Sequence, residues 1–173
     1  AVAIGWHADG EAGPIGKEPR NLYHVGALSE IAYGISTAMP RILELHSQLE
    51  IPASFFIPGY TVEVHPDLVE DVMKYNYEVA HHGYLHKNVF LLDKAQEKEE
   101  FEKGLEALKK ITGKIPAGWS APGWGVKSSS LEIAKQLGMI YDSSLMEYDI
   151  PYMVPTPAGV LVEIPISMIL DDY

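Results

Sequence analysis

Short apolar runs alternate with amphipathic stretches along this chain. The runs are bounded by Gly, Pro, Ser or His residues, which is typical of short strands that end at turns. They predict six strands, at residues 2–6, 53–57, 78–81, 118–122, 139–143 and 160–166.

Helical periodicity is found between these predicted strands. The clearest amphipathic segment covers residues 94–111, where Phe101, Leu105 and Leu108 share one face and Gly113 follows the last turn. Residues 10–19 are predicted to form an irregular loop, and residues 21–36 show no clear pattern. Three further helices are predicted to begin near Thr37 as an N-cap, at Pro66, and at Ser129 or Ser130.

Strands that alternate with helices predict parallel βαβ units and therefore the α/β fold class. A length of 173 residues is enough for one domain with a sizeable core, so we expect residues 1–173 to form a single domain. The residues best suited to chemistry follow the carboxyl ends of predicted strands. Parallel barrels and open α/β sheets place their sites at those ends.

The composition narrows the chemistry that this domain can support. The chain has no cysteine, so disulfides are excluded and a metal would be bound by His, Asp or Glu. A formal net charge of −11 with only 13 basic residues argues against a nucleic-acid partner. No apolar run reaches about 18 residues, which predicts no membrane span. The lack of a secretory leader favours a cytoplasmic protein, and a homo-oligomer stays open.

Three histidines follow or end the third predicted strand, at His81, His82 and His86. If the segment after Gly83 forms a helical turn, His82 and His86 project from one face with Cβ atoms roughly 5–6 Å apart. That spacing suits two imidazoles on one metal ion, since a Zn–N bond is about 2.0–2.1 Å. His81 points to the opposite side of the strand and is predicted to be structural.

The first predicted strand ends in a second group of potential ligands, His7-Ala8-Asp9. The period of two along a strand places His7 and Asp9 on the same side. Asp9, His82 and His86 together would make a set of two histidines and one carboxylate, which leaves positions open for water and substrate. We therefore expect a divalent cation here, with zinc as the leading candidate.

Four motifs make the chain resemble the polysaccharide deacetylase (NodB-homology) family, especially its peptidoglycan-deacetylase-like and allantoinase- or cyclic-imidase-like branch. The motifs are His7-Ala8-Asp9, His82-Gly83-Tyr84-Leu85-His86-Lys87-Asn88, Ser120-Ala121-Pro122-Gly123-Trp124 and Tyr141-Asp142-Ser143-Ser144-Leu145. The resemblance implies an irregular (β/α) barrel and a metal-dependent hydrolase of non-peptide amide C–N bonds. Family members continue with further βα units and a late histidine that this chain lacks. We therefore expect an incomplete barrel and the N-terminal portion of the catalytic domain.

The first and third motifs depart from the family pattern. Typical members carry two aspartates at the first motif, one as base and one as metal ligand, whereas here His7 occupies the base position. The third motif usually carries an arginine that tethers the base aspartate, and Ser120 stands there instead. The two losses are consistent with each other, because a guanidinium beside a histidine would suppress its protonation. We predict that His7, with a usual pKa of about 6.5, is the catalytic base.

The third motif is also predicted to contact the substrate. Gly123 stands where family members carry an aromatic residue. Trp124 follows as either a packing residue or an apolar wall for a sugar ring or a small cyclic substrate. A backbone N–H around Gly123 and Trp124 is predicted to stabilise a tetrahedral oxyanion. Tyr84, between the two ligand histidines, is a further substrate-binding candidate.

Three functions are open at this point. The family name favours N-deacetylation of an amino sugar in a polysaccharide or in peptidoglycan. The acidic composition, the absent leader and the unusual first motif favour a small cyclic amide or imide as substrate. The third possibility is a carbohydrate-binding homologue that kept the fold without catalytic activity.

Overall fold

A computed structural model describes residues 2–171, which contain a sheet of seven strands in the order β1-β2-β3-β4-β5-β7-β6. Neighbouring strands are parallel except for the β6–β7 hairpin. The sheet is open, with β1 and β6 at its edges, and the predicted α/β class is confirmed. The strands are β1 Gly5–His7, β2 Ser54–Ile57, β3 Glu78–His81, β4 Gly118–Trp119, β5 Tyr141–Asp142, β6 Tyr152–Thr156 and β7 Gly159–Glu163.

The helices cover the sheet and join its parallel strands. No helix within residues 2–171 is long and apolar enough to cross a membrane. The α-helices are α1 Ala12–Lys17, α2 Val25–Tyr33, α3 Met39–Gln48, α4 Gly59–Val64, α5 Pro66–Lys74, α6 Lys94–Thr112 and α7 Ser128–Gln136. Short 3₁₀ segments lie at Pro19–Tyr23, Val89–Leu91 and Pro122–Trp124, and a π-helical segment at Gly34–Ala38.

The region between β1 and α3 differs from the sequence prediction. Residues predicted as an irregular loop contain α1, whose Pro14 is tolerated because the first turn of a helix leaves its N–H groups unpaired. Thr37 is not an N-cap, because it lies inside the π-helical segment that joins α2 directly to α3. A helix that continues from another helix has no free first turn for a side chain to cap.

The sequence also gave no indication of β6. Pro155 lies within this strand, and proline is confined to edge strands because it has no N–H for the sheet. The hairpin places β6 at the sheet edge, which satisfies that requirement. The predicted strand over 160–166 ends at Glu163, before Pro165.

Two apolar clusters hold the helices against the sheet. The first packs α3, α5 and α6 on β2 and includes Leu43, Phe55, Ile57, Val69 and Leu108. The second packs α6 and α7 on β4 and β7 and includes Phe101, Trp119, Ile133, Met139 and Leu161. Because these strands are parallel, their carboxyl ends lie on the same side of the sheet. The residues that follow β1, β3 and β4 therefore come close together there.

Candidate active site

Asp9, His82 and His86 converge at the carboxyl edge of β1 and β3. His82 Nε2 lies 3.3 Å from Asp9 Oδ1, and His86 Nε2 lies 3.1 Å from Asp9 Oδ2. One ligand atom from each residue lies within 4.8 Å of the other two. The three residues proposed as metal ligands from the sequence are therefore neighbours, although their role as ligands stays a prediction.

The path that brings His86 to this point is not the predicted helical turn. The segment after Gly83 is irregular, and both Gly83 (φ 71°) and His86 (φ 53°) have left-handed backbone conformations. The carbonyl groups of Gly83 and Tyr84 accept hydrogen bonds from the first two N–H groups of α4, at 2.9 and 3.0 Å. The loop reverses its direction and is held by α4. This reversal, and not helical spacing, brings His86 close to His82.

His82 has the protonation pattern of a metal ligand. The ring is fully buried, and its Nδ1 lies 2.6 Å from the Ser120 carbonyl oxygen, an acceptor, so Nδ1 carries a proton. A neutral ring then turns the lone pair of Nε2 towards Asp9 Oδ1. Both atoms are buried, and neither has a hydrogen-bond donor among the described residues. A second proton on the ring or a cation between the two acceptors would relieve this opposition.

These residues fit a divalent cation. Two ligands of a tetrahedral zinc ion, each at about 2.0–2.1 Å, lie roughly 3.3 Å apart. The two Asp9–histidine separations are of that size. Burial by itself raises the pKa of Asp9, but His82 and His86, when protonated on Nε2, donate hydrogen bonds and positive charge that hold it well below its usual range. Asp9 is thus ionised at neutral pH, as a ligand must be.

His7 ends β1 beside this group. Its ring centroid lies 4.5 Å from that of His82, 5.4 Å from Phe56 and 5.9 Å from Trp124. The surrounding protein atoms, then the nearby His82, lower the pKa of His7, while Asp9 raises it. Part of the His7 side chain is exposed, so water moderates this lowering. A neutral imidazole at neutral pH can accept a proton.

Trp124 and Gly123 form a tight turn next to His7. Both residues have left-handed backbone conformations, with φ of 53° and 58°. The Trp124 N–H donates to the Ala121 carbonyl oxygen at 2.8 Å, so this amide is unavailable to an oxyanion, contrary to one version of the prediction. The Trp124 indole N–H is buried and has no hydrogen-bond acceptor in the part of the chain that the structure describes, while its ring is partly exposed beside His7.

Tyr84 is not brought into this group. Its hydroxyl donates to Glu63 at 2.9 Å, and its ring packs edge-on against Tyr60, with Lys103 over one face. Burial, with the hydrogen bond to Glu63, raises the pKa of Tyr84 to about 12. Its contacts are those of a residue that joins the histidine loop to α4 and α6, and substrate binding by Tyr84 stays a prediction.

Comparison with known proteins agrees with this arrangement. The model of the polysaccharide deacetylase family matches residues 30–141. The chain belongs to the polysaccharide deacetylase family. The family resemblance predicted from the four motifs is confirmed.

Individual relatives of this polysaccharide deacetylase domain are longer than the chain. A peptidoglycan deacetylase of Helicobacter pylori is 33% identical over 158 residues, which cover 78% of this chain and 54% of that protein. A Mycobacterium smegmatis crystal structure assigned to the polysaccharide deacetylases superposes with a TM-score of 0.95 at 35% identity, over 99% of this chain and 60% of its own. The PuuE allantoinase structure shares the fold, with a TM-score of 0.84 at 22% identity over 96% of this chain and 61% of its own.

The remaining histidines of this deacetylase domain make structural contacts. His81 is fully buried, stacks on Phe101 and approaches the Phe101 carbonyl oxygen to 3.0 Å, which agrees with its predicted role. His46 accepts the Trp6 indole N–H at 2.9 Å. His24 accepts the Ala27 N–H at the start of α2, and His65 pairs with Glu11 at 2.8 Å.

The sequence did not predict a second group of interest, a buried pair of carboxyl groups. Asp142 and Glu163 are both fully buried on paired positions of β5 and β7. Glu163 accepts the N–H groups of Ser144 and Leu145, at 3.0 and 2.9 Å. Burial, then the hydrogen bond to Glu163 and its charge, raises the pKa of Asp142 well above its usual value of 3.8.

Ser144 links this carboxyl pair to the third motif, at Ala121. Its hydroxyl donates to Asp142 Oδ1 at 2.7 Å and accepts the Ala121 N–H at 2.8 Å. Ala121 directly follows Ser120, whose carbonyl orients His82. The only signal in the sequence was the Tyr141–Leu145 motif, in which a strand end is followed by two serines.

Proposed function

We propose that this domain removes an acetyl group from the nitrogen of an amino sugar in a polysaccharide or in peptidoglycan, with a divalent cation held by Asp9, His82 and His86. The observation that carries this proposal is the buried pair of acceptors at His82 Nε2 and Asp9 Oδ1, 3.3 Å apart, with His86 beside them. The chain spans about half the length of the H. pylori relative, so the substrate of the whole protein is part of the proposal.

The protein prepares the site for a cation through the residues behind the ligands. The Ser120 carbonyl fixes the proton of His82 on Nδ1, which leaves Nε2 as the ligand atom. Asp9 supplies the negative charge. A bound divalent cation supplies Lewis acidity, which polarises a carbonyl group and lowers the pKa of water. Three protein ligands also leave room for substrate, as catalytic sites require.

His7 is the proposed base. Within residues 2–171 its nitrogens have no hydrogen-bond partner, and its ring lies against His82 on the exposed side of the site. His7 takes a proton from water as the water oxygen bonds to the amide carbon. The same proton passes to the amide nitrogen as the C–N bond breaks, which releases acetate and a free amine.

Trp124 is the proposed wall for the sugar ring. It lies 5.9 Å from His7 between ring centroids, and aromatic faces suit the apolar faces of sugars. The printed name of the H. pylori relative, a peptidoglycan deacetylase, supports an N-acetylated amino sugar as the substrate class.

The test compares two substrates on the zinc-loaded chain. We expect acetate release from N-acetylglucosamine oligomers and no ring opening of succinimide or allantoin. Ring opening without acetate release would replace the proposal with a cyclic-amide hydrolase. Sugar binding with neither reaction would favour an inactive carbohydrate-binding homologue.

The role of His7 is tested separately. We expect His7→Ala to keep equimolar zinc and to lower kcat by about 100-fold or more, the usual contribution of a general base. Exposed His24, which caps a helix outside the site, provides the matched control His24→Ala, with kcat unchanged. Normal turnover by the zinc-loaded His7→Ala variant would remove His7 from the mechanism and leave the metal site intact.

A further inference from the structure

The loop that carries His86 is fastened to α6 by one carboxylate. Glu100 Oε2 accepts the Leu85 N–H at 3.0 Å, and Glu100 Oε1 pairs with Lys87 Nζ at 2.7 Å. The Glu100 side chain is only 11% exposed, so water competes weakly for both contacts. The residue before His86 and the residue after it are therefore held by the two oxygens of the same group.

His86 needs such support because of its own backbone. Its φ of 53° lies in the left-handed region, which is unfavourable for a residue with a side chain and is kept only when surrounding contacts impose it. This conformation turns the imidazole back to Asp9, with Nε2 3.1 Å from Oδ2. If the loop relaxed to an ordinary conformation, the ring would leave the site.

Other contacts hold the start of the same loop but not the residues on either side of His86. The carbonyl groups of Gly83 and Tyr84 are held by the start of α4. On another side α1 approaches so closely that a Cβ on Gly16 would lie 1.8 Å from the Leu85 carbonyl oxygen. The contacts to the Leu85 N–H and to the Lys87 side chain, on either side of His86, both come from Glu100.

We propose that Glu100 is a positioning residue for the metal site: it holds His86 in the left-handed conformation that makes it a ligand. This inference rests on the proposed metal-dependent function and assigns part of that site to α6. Glu100 touches neither the ion nor the substrate, and it acts only through the two neighbours of His86.

Glu97 provides a matched control on the same helix. It is also a buried glutamate of α6, and its carboxylate pairs with Lys127 at 3.0 Å and accepts the hydroxyl groups of Ser129 and Ser130. None of these partners belongs to the histidine loop. Glu97→Ala therefore removes a buried carboxylate network of comparable size without releasing His86.

The experiment measures zinc affinity by competition with a chromophoric chelator, together with the cobalt absorption spectrum and Tm of each metal-free protein. We expect Glu100→Ala to weaken zinc affinity by about tenfold to 100-fold, as outer-shell partners typically do, and to alter the cobalt spectrum. Glu100→Gln keeps an acceptor for the Leu85 N–H and should lie between Glu100→Ala and the wild type. Glu97→Ala should lower Tm but leave both metal readouts unchanged.

The outcomes separate this inference from the proposed function. Zinc affinity of Glu100→Ala and Glu100→Gln within about twofold of the wild type would overturn the positioning role while the metal site stands. Equal losses of affinity in Glu97→Ala and Glu100→Ala would show a general effect of helix stability and would also overturn it. If the wild-type chain binds no zinc, that result would contradict the proposed function and, with it, the positioning role.

Discussion

The two halves of the sheet each carry an aspartate at or just after a strand end, and their surroundings shift its pKa in opposite directions. Asp9, after β1, faces two imidazoles, and its pKa is held well below the usual range. Asp142, at the end of β5, faces Glu163, and its pKa is raised well above the usual value. The first carboxyl group is kept ionised, and the second tends to keep its proton.

The difference lies in the partner that each carboxylate meets. His82 carries its proton on Nδ1 and offers the lone pair of Nε2. Asp9 and His82 together therefore attract a positive ion. Two carboxyl groups in a buried site cannot both ionise cheaply, so one keeps its proton and donates to the other. Two aspartates at the carboxyl ends of β1 and β5 thus differ in charge because their partners differ.

The largest effect should follow from breaking the first site. We expect Asp9→Asn to weaken zinc affinity by at least about 100-fold, because the site loses its only anionic ligand. Isothermal titration with zinc measures this change. Glu11→Gln is the control, since Glu11 lies two residues away and pairs with His65 outside the site. Equal zinc affinity in wild type and Asp9→Asn would exclude Asp9 as a ligand.

A smaller effect should follow from cutting the link between the two regions. Ser144→Ala removes a buried hydroxyl that accepts from the Ala121 N–H and donates to Asp142 Oδ1. We expect a loss of about 2 kcal/mol in the free energy of unfolding, measured by urea denaturation. The control is Ser29→Ala at an exposed position, which should change the free energy of unfolding by less than about 0.5 kcal/mol. Similar free energies of unfolding for Ser144→Ala and Ser29→Ala would contradict a stabilising role for the Ser144 hydroxyl.

The smallest effect, and one of opposite sign, concerns the raised pKa of Asp142. An acid with a higher pKa in the folded state than in the unfolded state binds its proton more tightly when folded. Its contribution to stability is therefore complete below the unfolded pKa, near 3.8, and is lost as the pH rises through the folded pKa. Asp142→Asn keeps an acceptor for Ser144 and gains an N–H for Glu163, so this loss should disappear.

We expect Asp142→Asn to be more stable than the wild type by about 1 kcal/mol at pH 8, with the difference vanishing near pH 4. Urea denaturation at a series of pH values measures the difference. Asp149→Asn removes the same charge at an exposed position and serves as the control. A variant less stable than wild type at pH 8 would show that Asp142 is ionised and usefully paired.

The sequence predicted those features that depend on local patterns. Strand ends that carry histidine or aspartate were recognisable, and parallel topology brings such ends together, so Asp9, His82 and His86 were identified correctly as neighbours. The conformation of the His82–His86 segment was not predictable, because it is imposed by the start of α4 and by Glu100. Neither contact leaves a periodic signal near the histidines.

The second region was less accessible for a similar reason. Asp142 and Glu163 come together only because β5 pairs with β7, with β6 displaced to the edge of the sheet. β6 was not predicted because it contains Pro155. Without β6 the order of the strands could not be derived. Pairs of buried polar residues from distant strands depend on sheet order, which short-range patterns do not contain.

The most direct test of the account is anomalous diffraction at the zinc edge from crystals of the wild-type chain grown with equimolar zinc. The account predicts one strong peak at about 2.0–2.2 Å from an Asp9 oxygen, His82 Nε2 and His86 Nε2. A map with these side chains in their present positions and no anomalous peak between them, or with the peak elsewhere, would contradict the assignment of this edge of the sheet as a metal centre.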